Sequence, residues 1–195
     1  MKKYVLLLTL CVVSICSSQE QPATFKLSKG SWLLGGQINY INQNSGSGSN
    51  NPLGVYPQIG HAIATNLVVG TYLGYFKDSS DKGIGLWPFV AKYYTVTKKL
   101  LFNLEGRAGY TIAKSRDSNF KSKTNEFSLF IIPGLTYRVH KKLAFTLNLG
   151  NVGYSKRTFK TQSDSMVLED RRQYDNFVFN FRTANLGVGF VYLLN

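Results

Sequence analysis

Cysteine is confined to Cys11 and Cys16, histidine to His61 and His140, and no apolar run approaches the roughly 20 residues of a membrane-spanning helix. Each shortage removes a class of explanation. Both cysteines precede the expected processing site, so the mature chain has no disulfide and no thiolate nucleophile. Two separated histidines without cysteine make a poor metal centre, and neither has an evident Ser or Asp partner for nucleophilic catalysis. No enzyme activity, cofactor or metal is therefore expected. Gly46 and Gly48 lack the following Lys-Ser/Thr of a phosphate loop. Asp164, Glu169, Asp170 and Asp175 crowd one segment, but Arg171 and Arg172 sit among them and neutralise it. Acidic residues are scarce overall, with 10 Asp and Glu against 23 Lys and Arg, a formal charge of +13.

What is present begins with Lys2 and Lys3, an apolar run from Tyr4 to Ile15, and the small or polar residues Cys16, Ser17 and Ser18. This is the pattern of a secretory signal peptide, residues 1–18, with cleavage expected after Ser18. Ile15 before Cys16 and Leu10 before Cys11 do not suit a lipoprotein signal. Loss of Lys2 and Lys3 lowers the charge to +11, still basic enough for nucleic acid. Export argues against that partner and for the phosphates of a membrane surface.

The mature chain is then a short periplasmic segment, 19–30, followed by a single domain, 31–195. Long polar segments (Asn42 to Asn51, Lys77 to Gly83, Ala113 to Thr124, Lys156 to Asp175) alternate with tight turns at Ala64-Thr65-Asn66, Thr97-Lys98-Lys99 and His140-Lys141-Lys142. Seven connections join eight strands: Ser31 to Ile41, Pro52 to Ile63, Leu67 to Phe76, Ile84 to Val96, Leu100 to Ile112, Asn125 to Val139, Leu143 to Ser155 and Asn176 to Leu194. Alternating long and short connections predict an all-β, eight-stranded antiparallel up-and-down transmembrane barrel, with short periplasmic turns and longer extracellular loops.

Within the strands apolar and polar residues alternate with period two. Phe102, Leu104, Ala108 and Tyr110 oppose Asn103, Glu105, Arg107 and Thr111; Trp32, Leu34, Ile38 and Tyr40 oppose Gln37 and Asn39. Similar rows are Val55, Pro57, Ile59 and Ile63; Phe127, Leu129, Ile131, Leu135 and Tyr137; and Leu143, Phe145, Leu147 and Leu149. In the fourth strand Trp87, Phe89, Ala91 and Tyr93 oppose Lys92. With the apolar rows on lipid, the polar rows enclose a charge network of Lys92, Glu105, Arg107, Arg138 and Arg182, in which Lys92 lies across from Glu105. Trp32, Trp87, Tyr93, Tyr137 and Tyr192 are expected at the membrane interfaces. The last strand changes parity between Phe181 and Leu186, which predicts a β-bulge between Thr183 and Asn185, with a second candidate at Asn151.

Several degenerate motifs run in order: Lys29-Gly-Ser-Trp-Leu-Leu-Gly-Gly36, Tyr56-Pro-Gln-Ile-Gly60 leading to Asn66-Leu-Val-Val-Gly70, and Pro88-Phe-Val-Ala-Lys-Tyr-Tyr94. They continue in Pro133-Gly-Leu-Thr-Tyr137, Lys142-Leu-Ala-Phe145 and Leu186-Gly-Val-Gly-Phe190. On these the chain resembles the small outer-membrane β-barrel, porin-like proteins of Bacteroidetes over its whole mature length. That resemblance implies the bacterial outer membrane, contact with outer-membrane lipid and lipopolysaccharide, insertion by the barrel-assembly machinery, and a monomer. The family usually ends in an aromatic residue, whereas this chain ends Leu193-Leu194-Asn195, with Phe190, Tyr192 and Leu194 at alternate positions.

The expected role is structural or a surface interaction with an extracellular partner through the outer loops, the lumen being filled by polar and charged side chains. One alternative is a narrow pore for small solutes or ions. Another is a soluble lipocalin-like ligand-binding barrel, suggested by Gly30-Ser-Trp32, in which the apolar rows would face inward.

Overall fold

A computed structural model describes residues 25–40, 43–45, 48–50, 53–77, 81–117, 120–163, 170–181 and 187–194. The expected signal peptide, Arg182 and the predicted bulge between Thr183 and Asn185 lie outside these residues. The elements are β1 Trp32–Tyr40, β2 Gln43–Ser45, β3 Gly48–Asn50, β4 Leu53–Ala64, β5 Leu67–Lys77 and β6 Asp81–Thr95. They continue with β7 Leu100–Asp117, β8 Phe120–His140, β9 Leu143–Asn148, β10 Asn151–Ser163, β11 Asp170–Asn180 and β12 Gly187–Leu194. Neighbours pair antiparallel in the order β11-β10-β8-β7-β6-β5-β4-β1-β12-β9, and a further β8–β9 pairing closes the sheet on itself. Because β9 with β10 and β11 with β12 are each one interrupted stave, the result is a closed eight-stranded antiparallel barrel.

The stagger of that closure can be read from the ladders. From Ile38 the pairs Val55, Tyr75, Ile84 and Ile112 lead one way round to Asn125 on β8. The other way, Val188 and Leu147 lead to Leu135 on the same strand, ten residues from Asn125. Such a stagger tilts the strands by roughly 35–45° and leaves an interior that side chains fill.

Trp32, Leu34, Ile38, Val55, Ile59, Ile63, Leu104, Tyr110, Phe127, Leu129, Ile131, Phe145, Phe190 and Tyr192 are all substantially exposed, so the apolar rows form the outer wall. Ile84 to Tyr94 on β6 extends that wall by about 25 Å along the barrel axis at this tilt, the height of a bilayer's apolar band. An outward apolar wall removes the lipocalin-like alternative.

Two expectations about β6 are corrected. Trp87, Phe89, Ala91 and Tyr93 face the interior, while Lys92 is exposed among Val90 and Tyr94 on the outside. Both parities of this strand are apolar, so alternation alone could not choose between them. Glycines choose: Gly70 lies under the Phe89 ring, and Gly74 and Gly109 lie against Trp87, where any Cβ would collide with the aromatic ring. The bulky row enters the barrel because its neighbours have made room for it.

The polar segments are also more regular than their composition suggested. Residues 113–117 and 120–124 continue the β7–β8 ladder through Lys114↔Lys123 and Arg116↔Lys121 to Asp117↔Phe120. Above the apolar wall both faces of a strand are polar, so period two fades while the hydrogen-bond ladder continues. The second bulge falls at Leu149-Gly150. Ile131 pairs Val152 and Gly134 pairs Asn148, so this stave carries one residue more than β8 and the facing parity switches. Gly150 takes φ +145, a backbone that suits glycine.

Candidate functional site

Period two on β7 aims Asn103, Glu105 and Arg107 into the barrel together. Arg107 Nε donates to Glu105 Oε1 at 2.6 Å, and the Glu105 residue is only 4% exposed. Tyr72, on the inward row of β5, donates its hydroxyl to Glu105 Oε2 at 3.1 Å. The same hydroxyl accepts from Gln37 Nε2 of β1 at 3.4 Å, and Asn148 Nδ2 of β9 donates to Gln37 Oε1 at 3.2 Å. The Arg107 guanidinium lies 4.1 Å from the Tyr72 ring centroid, a cation–π contact. Four staves are thus linked across the lumen by one chain of polar side chains. Beside it, Thr136 donates to Asn103 Oδ1 at 3.1 Å. A buried ion pair offsets its desolvation only as far as its hydrogen bonds are filled: Tyr72 supplies the carboxylate's second partner, while Arg107 Nη2 is buried without one among the described residues.

The tight-turn end is closed by the chain itself. Phe25 and Leu27, 1% and 2% exposed, point into the barrel mouth, while the alternating Lys26 and Ser28 remain in solvent. Leu27 N donates to Asn66 Oδ1 at 2.8 Å, Asn66 N donates to the Leu27 carbonyl at 2.9 Å, and Tyr93 N donates to the Asn66 carbonyl. Asn66 holds φ 59 in the two-residue turn between β4 and β5, a conformation asparagine tolerates better than most residues. Phe25 N reaches the Lys98 carbonyl, and Gly30 N the Ala62 carbonyl. Residues 25–30, expected simply as a periplasmic segment, are packed into the barrel. Their apolar side chains join Leu33, Val68, Phe89, Ala91, Tyr93, Leu101 and Leu193 in one core at this end.

The expected charge network is brought together only in part. Glu105 and Arg107 meet, whereas Lys92 is outside the barrel and opposite Leu104 rather than Glu105, whose partner on β6 is Ala91. Arg138 sits at the tight-turn rim, its Nη2 donating to the Lys98 carbonyl and its guanidinium 5.1 Å from the Phe25 ring centroid. Of the aromatics expected at the interfaces, Trp32, Tyr137 and Tyr192 are on outward rows, with Trp32 against His61 at 4.6 Å between ring centroids. Trp87 and Tyr93 are instead interior; Trp87 meets Tyr56 edge to face at 5.5 Å, and Tyr93 is 5% exposed. Size decided their side, because an eight-stranded interior lined by glycine needs large side chains to fill it.

Tyr72, Phe25 and Leu27 were not singled out from the sequence, Gln37 and Asn148 were read only as members of polar rows, and Asn66 only as part of a tight turn. A signal existed for some of them. Val68-x-Gly70-x-Tyr72-x-Gly74 alternates small and large on one parity, and Phe25-Lys26-Leu27-Ser28 carries period two before the first barrel strand. Among the described residues no group of His, Cys, Asp and Glu is placed to hold a metal ion.

No protein-family model and no curated protein matches the chain. Among solved structures it is similar to the N-terminal β-barrel domain of Pseudomonas aeruginosa OprF, with a TM-score of 0.52 and 10% identity over 86% of this chain and 100% of that one. It is equally similar to Neisserial surface protein A (NspA), with a TM-score of 0.52 and 13% identity over 84% of this chain and 99% of that one. At these identities the likeness establishes the fold, an eight-stranded barrel of the outer-membrane type.

Proposed function

We propose that this chain is a non-conducting barrel of the bacterial outer membrane, monomeric and without catalytic activity, whose role is structural or exercised through its long loops. The observation that carries this reading is the double closure of the lumen. A polar chain from Asn148 through Gln37, Tyr72 and Glu105 to Arg107 crosses the middle, and Phe25 and Leu27 fill the tight-turn mouth. The outward apolar wall and the likeness to outer-membrane barrels support the location, and the sequence motifs alone support the narrower resemblance to the Bacteroidetes barrels. The distribution of connections supports surface contact, with those from β1 to β4, β7 to β8 and β10 to β11 leaving the end opposite the tight turns.

Purified chain in planar bilayers is expected to carry no sustained current, and Glu105→Ala to remain silent because the Phe25 and Leu27 closure persists. Steady wild-type conductance would reject the closed-barrel reading in favour of a pore. Fractionation of cells producing the full chain is expected to place it in the outer membrane, with the three loop segments open to external protease.

A further inference from the structure

Above the Glu105–Arg107 layer the inward face of the barrel changes character from stave to stave. One register row runs from Tyr174 on β11 through Arg157 on β10, Glu126 on β8 and Thr111 on β7 to Gly85 on β6. The row above it runs from Phe159 through Thr124 and Ala113 to Gly83. Much of this surface belongs to the polar segments of the sequence, and strand geometry gives them an inward face.

Aromatic rings stand at both ends of the two rows. Phe159 and Tyr174 meet edge to face at 5.5 Å between ring centroids, and Tyr174 is 47% exposed although it lies on the inward parity. At the other end the rings of Trp87 and Phe76 lie over Gly85 and Gly83, in the space a Cβ would take. Between them Thr111, Ala113 and Thr124 are short and only half-buried, so the surface is a trough. From β10 to β6 it crosses three strand spacings, about 14 Å.

An ion pair lies along its floor. Arg157 Nε donates to Glu126 Oε2 at 2.7 Å, with the two side chains 48% and 20% exposed. Among the described residues this contact engages one nitrogen and one oxygen, leaving both Nη groups and Oε1 for a ligand. A pair this exposed contributes little to stability.

The pair decides what fits the trough. A ligand of one charge would meet a like charge one hydrogen bond away, whereas a hydroxyl both donates and accepts. Neighbouring ring hydroxyls of a sugar bond guanidinium and carboxylate together, while the C–H face of the ring packs on an aromatic side chain. A peptide added as a strand would need a free backbone edge, and β7, β8 and β10 are each paired on both sides. Lipid is on the other side of the wall. On the outer face of β8 the apolar row ends at this height, where Phe127 gives way to Asn125. Approach is from the loop end, because Glu105 and Arg107 close the lumen beneath.

We infer that Tyr174, Arg157, Glu126 and Thr111 line a binding trough for a neutral oligosaccharide. Its hydroxyls bond the ion pair and its ring faces pack on the aromatic ends. This gives the surface contact proposed above a partner of defined chemistry, and it rests on that reading for access from outside the cell.

The test exposes the refolded full chain, in detergent micelles, to an array of neutral hexose oligosaccharides beside uronic-acid and phosphorylated ones. The best neutral ligand is then titrated by calorimetry. A neutral oligosaccharide is expected to bind with a Kd below about 1 mM. Glu126→Gln and Tyr174→Ala are each expected to weaken it on the order of tenfold. Thr111→Tyr fills the trough and is expected to abolish binding while the barrel keeps its heat-modifiable mobility. Lys156→Gln, on the outer face of the same stave, is expected to bind like wild type. Absence of any neutral ligand from the array, or a neutral ligand indifferent to both Thr111→Tyr and Tyr174→Ala, overturns the proposal. Retention of acidic glycans alone, lost at high salt, overturns it in favour of attraction by the basic surface. A folded chain that binds no glycan sinks this inference and leaves the outer-membrane location standing. A glycan-binding chain found outside the outer membrane sinks the location alone.

Discussion

The Arg107 guanidinium carbon lies over the ring of Tyr72, 4.1 Å from its centroid, while its Nε donates to the same carboxylate that accepts a hydrogen bond from the Tyr72 hydroxyl. The two residues therefore clamp Glu105 from both sides, one by charge and one by hydrogen bond.

Removing the clamped group leaves a buried guanidinium without its counter-charge. Glu105→Ala is expected to cost about 3–5 kcal/mol in urea unfolding of the refolded barrel. Replacing both charges, as in Glu105→Leu with Arg107→Met, is expected to cost much less. A double variant as unstable as the single one would contradict the view that the stranded charge carries the penalty.

The closure at Phe25 and Leu27 is expected to behave as a local unit. Phe25→Ser with Leu27→Ser removes the apolar contacts that hold residues 25–30 in the mouth, losses typically of about 2–5 kcal/mol each in a well-packed core. Limited trypsin digestion reads the result, since Lys26 and Lys29 become cleavable in the variant while the barrel keeps its heat-modifiable mobility. Equal protection in wild type and variant would show that the backbone hydrogen bonds alone hold the segment.

Asn66 serves the turn by its backbone and the segment by its side chain, and two substitutions separate these duties. Asn66→Gly keeps the positive φ and loses the acceptor for Leu27 N, an expected cost of about 1 kcal/mol. Asn66→Ala loses both and is expected to cost about 1–2 kcal/mol more. Equilibrium unfolding of the two variants side by side checks the order.

Glycines of the same sheet are expected to differ according to the face they occupy. Gly74→Val drives a side chain into Trp87 and Tyr56, so refolding yield should fall steeply. Gly106→Val points into open space on the wall and should refold like wild type. Comparable yields would refute the packing role assigned to the inward glycines.

The architecture was legible because one parity of most strands is apolar and the turns alternate between tight and long. Residues such as Leu34, Ile59 and Leu129 could be placed from those two facts alone. β6 was the exception: with Trp87 on one parity and Leu86 on the other, hydrophobicity carried no sign, and the deciding information lay on neighbouring strands in Gly70, Gly74 and Gly109. The pairing of Glu105 with Arg107 was visible as a two-residue spacing. Its partners Tyr72 and Gln37 were not, because they arrive from β5 and β1 through barrel closure, which no local pattern encodes. Lys77, Lys82, Lys114, Lys123 and Lys160 were hidden for the same reason: they are scattered along the sequence and become neighbours only through strand register.

The closed mouth also imposes an order of events on folding. Phe25 lies near the beginning of the chain, yet its carbonyl accepts from Thr95 Oγ1, seventy residues later, and its N–H needs the Lys98 carbonyl. Leu27 needs a turn that exists only once β4 and β5 have met. The earliest described stretch of the polypeptide thus has no seat until much later hairpins have formed, and it locks the bottom of the barrel as a finishing step rather than nucleating it.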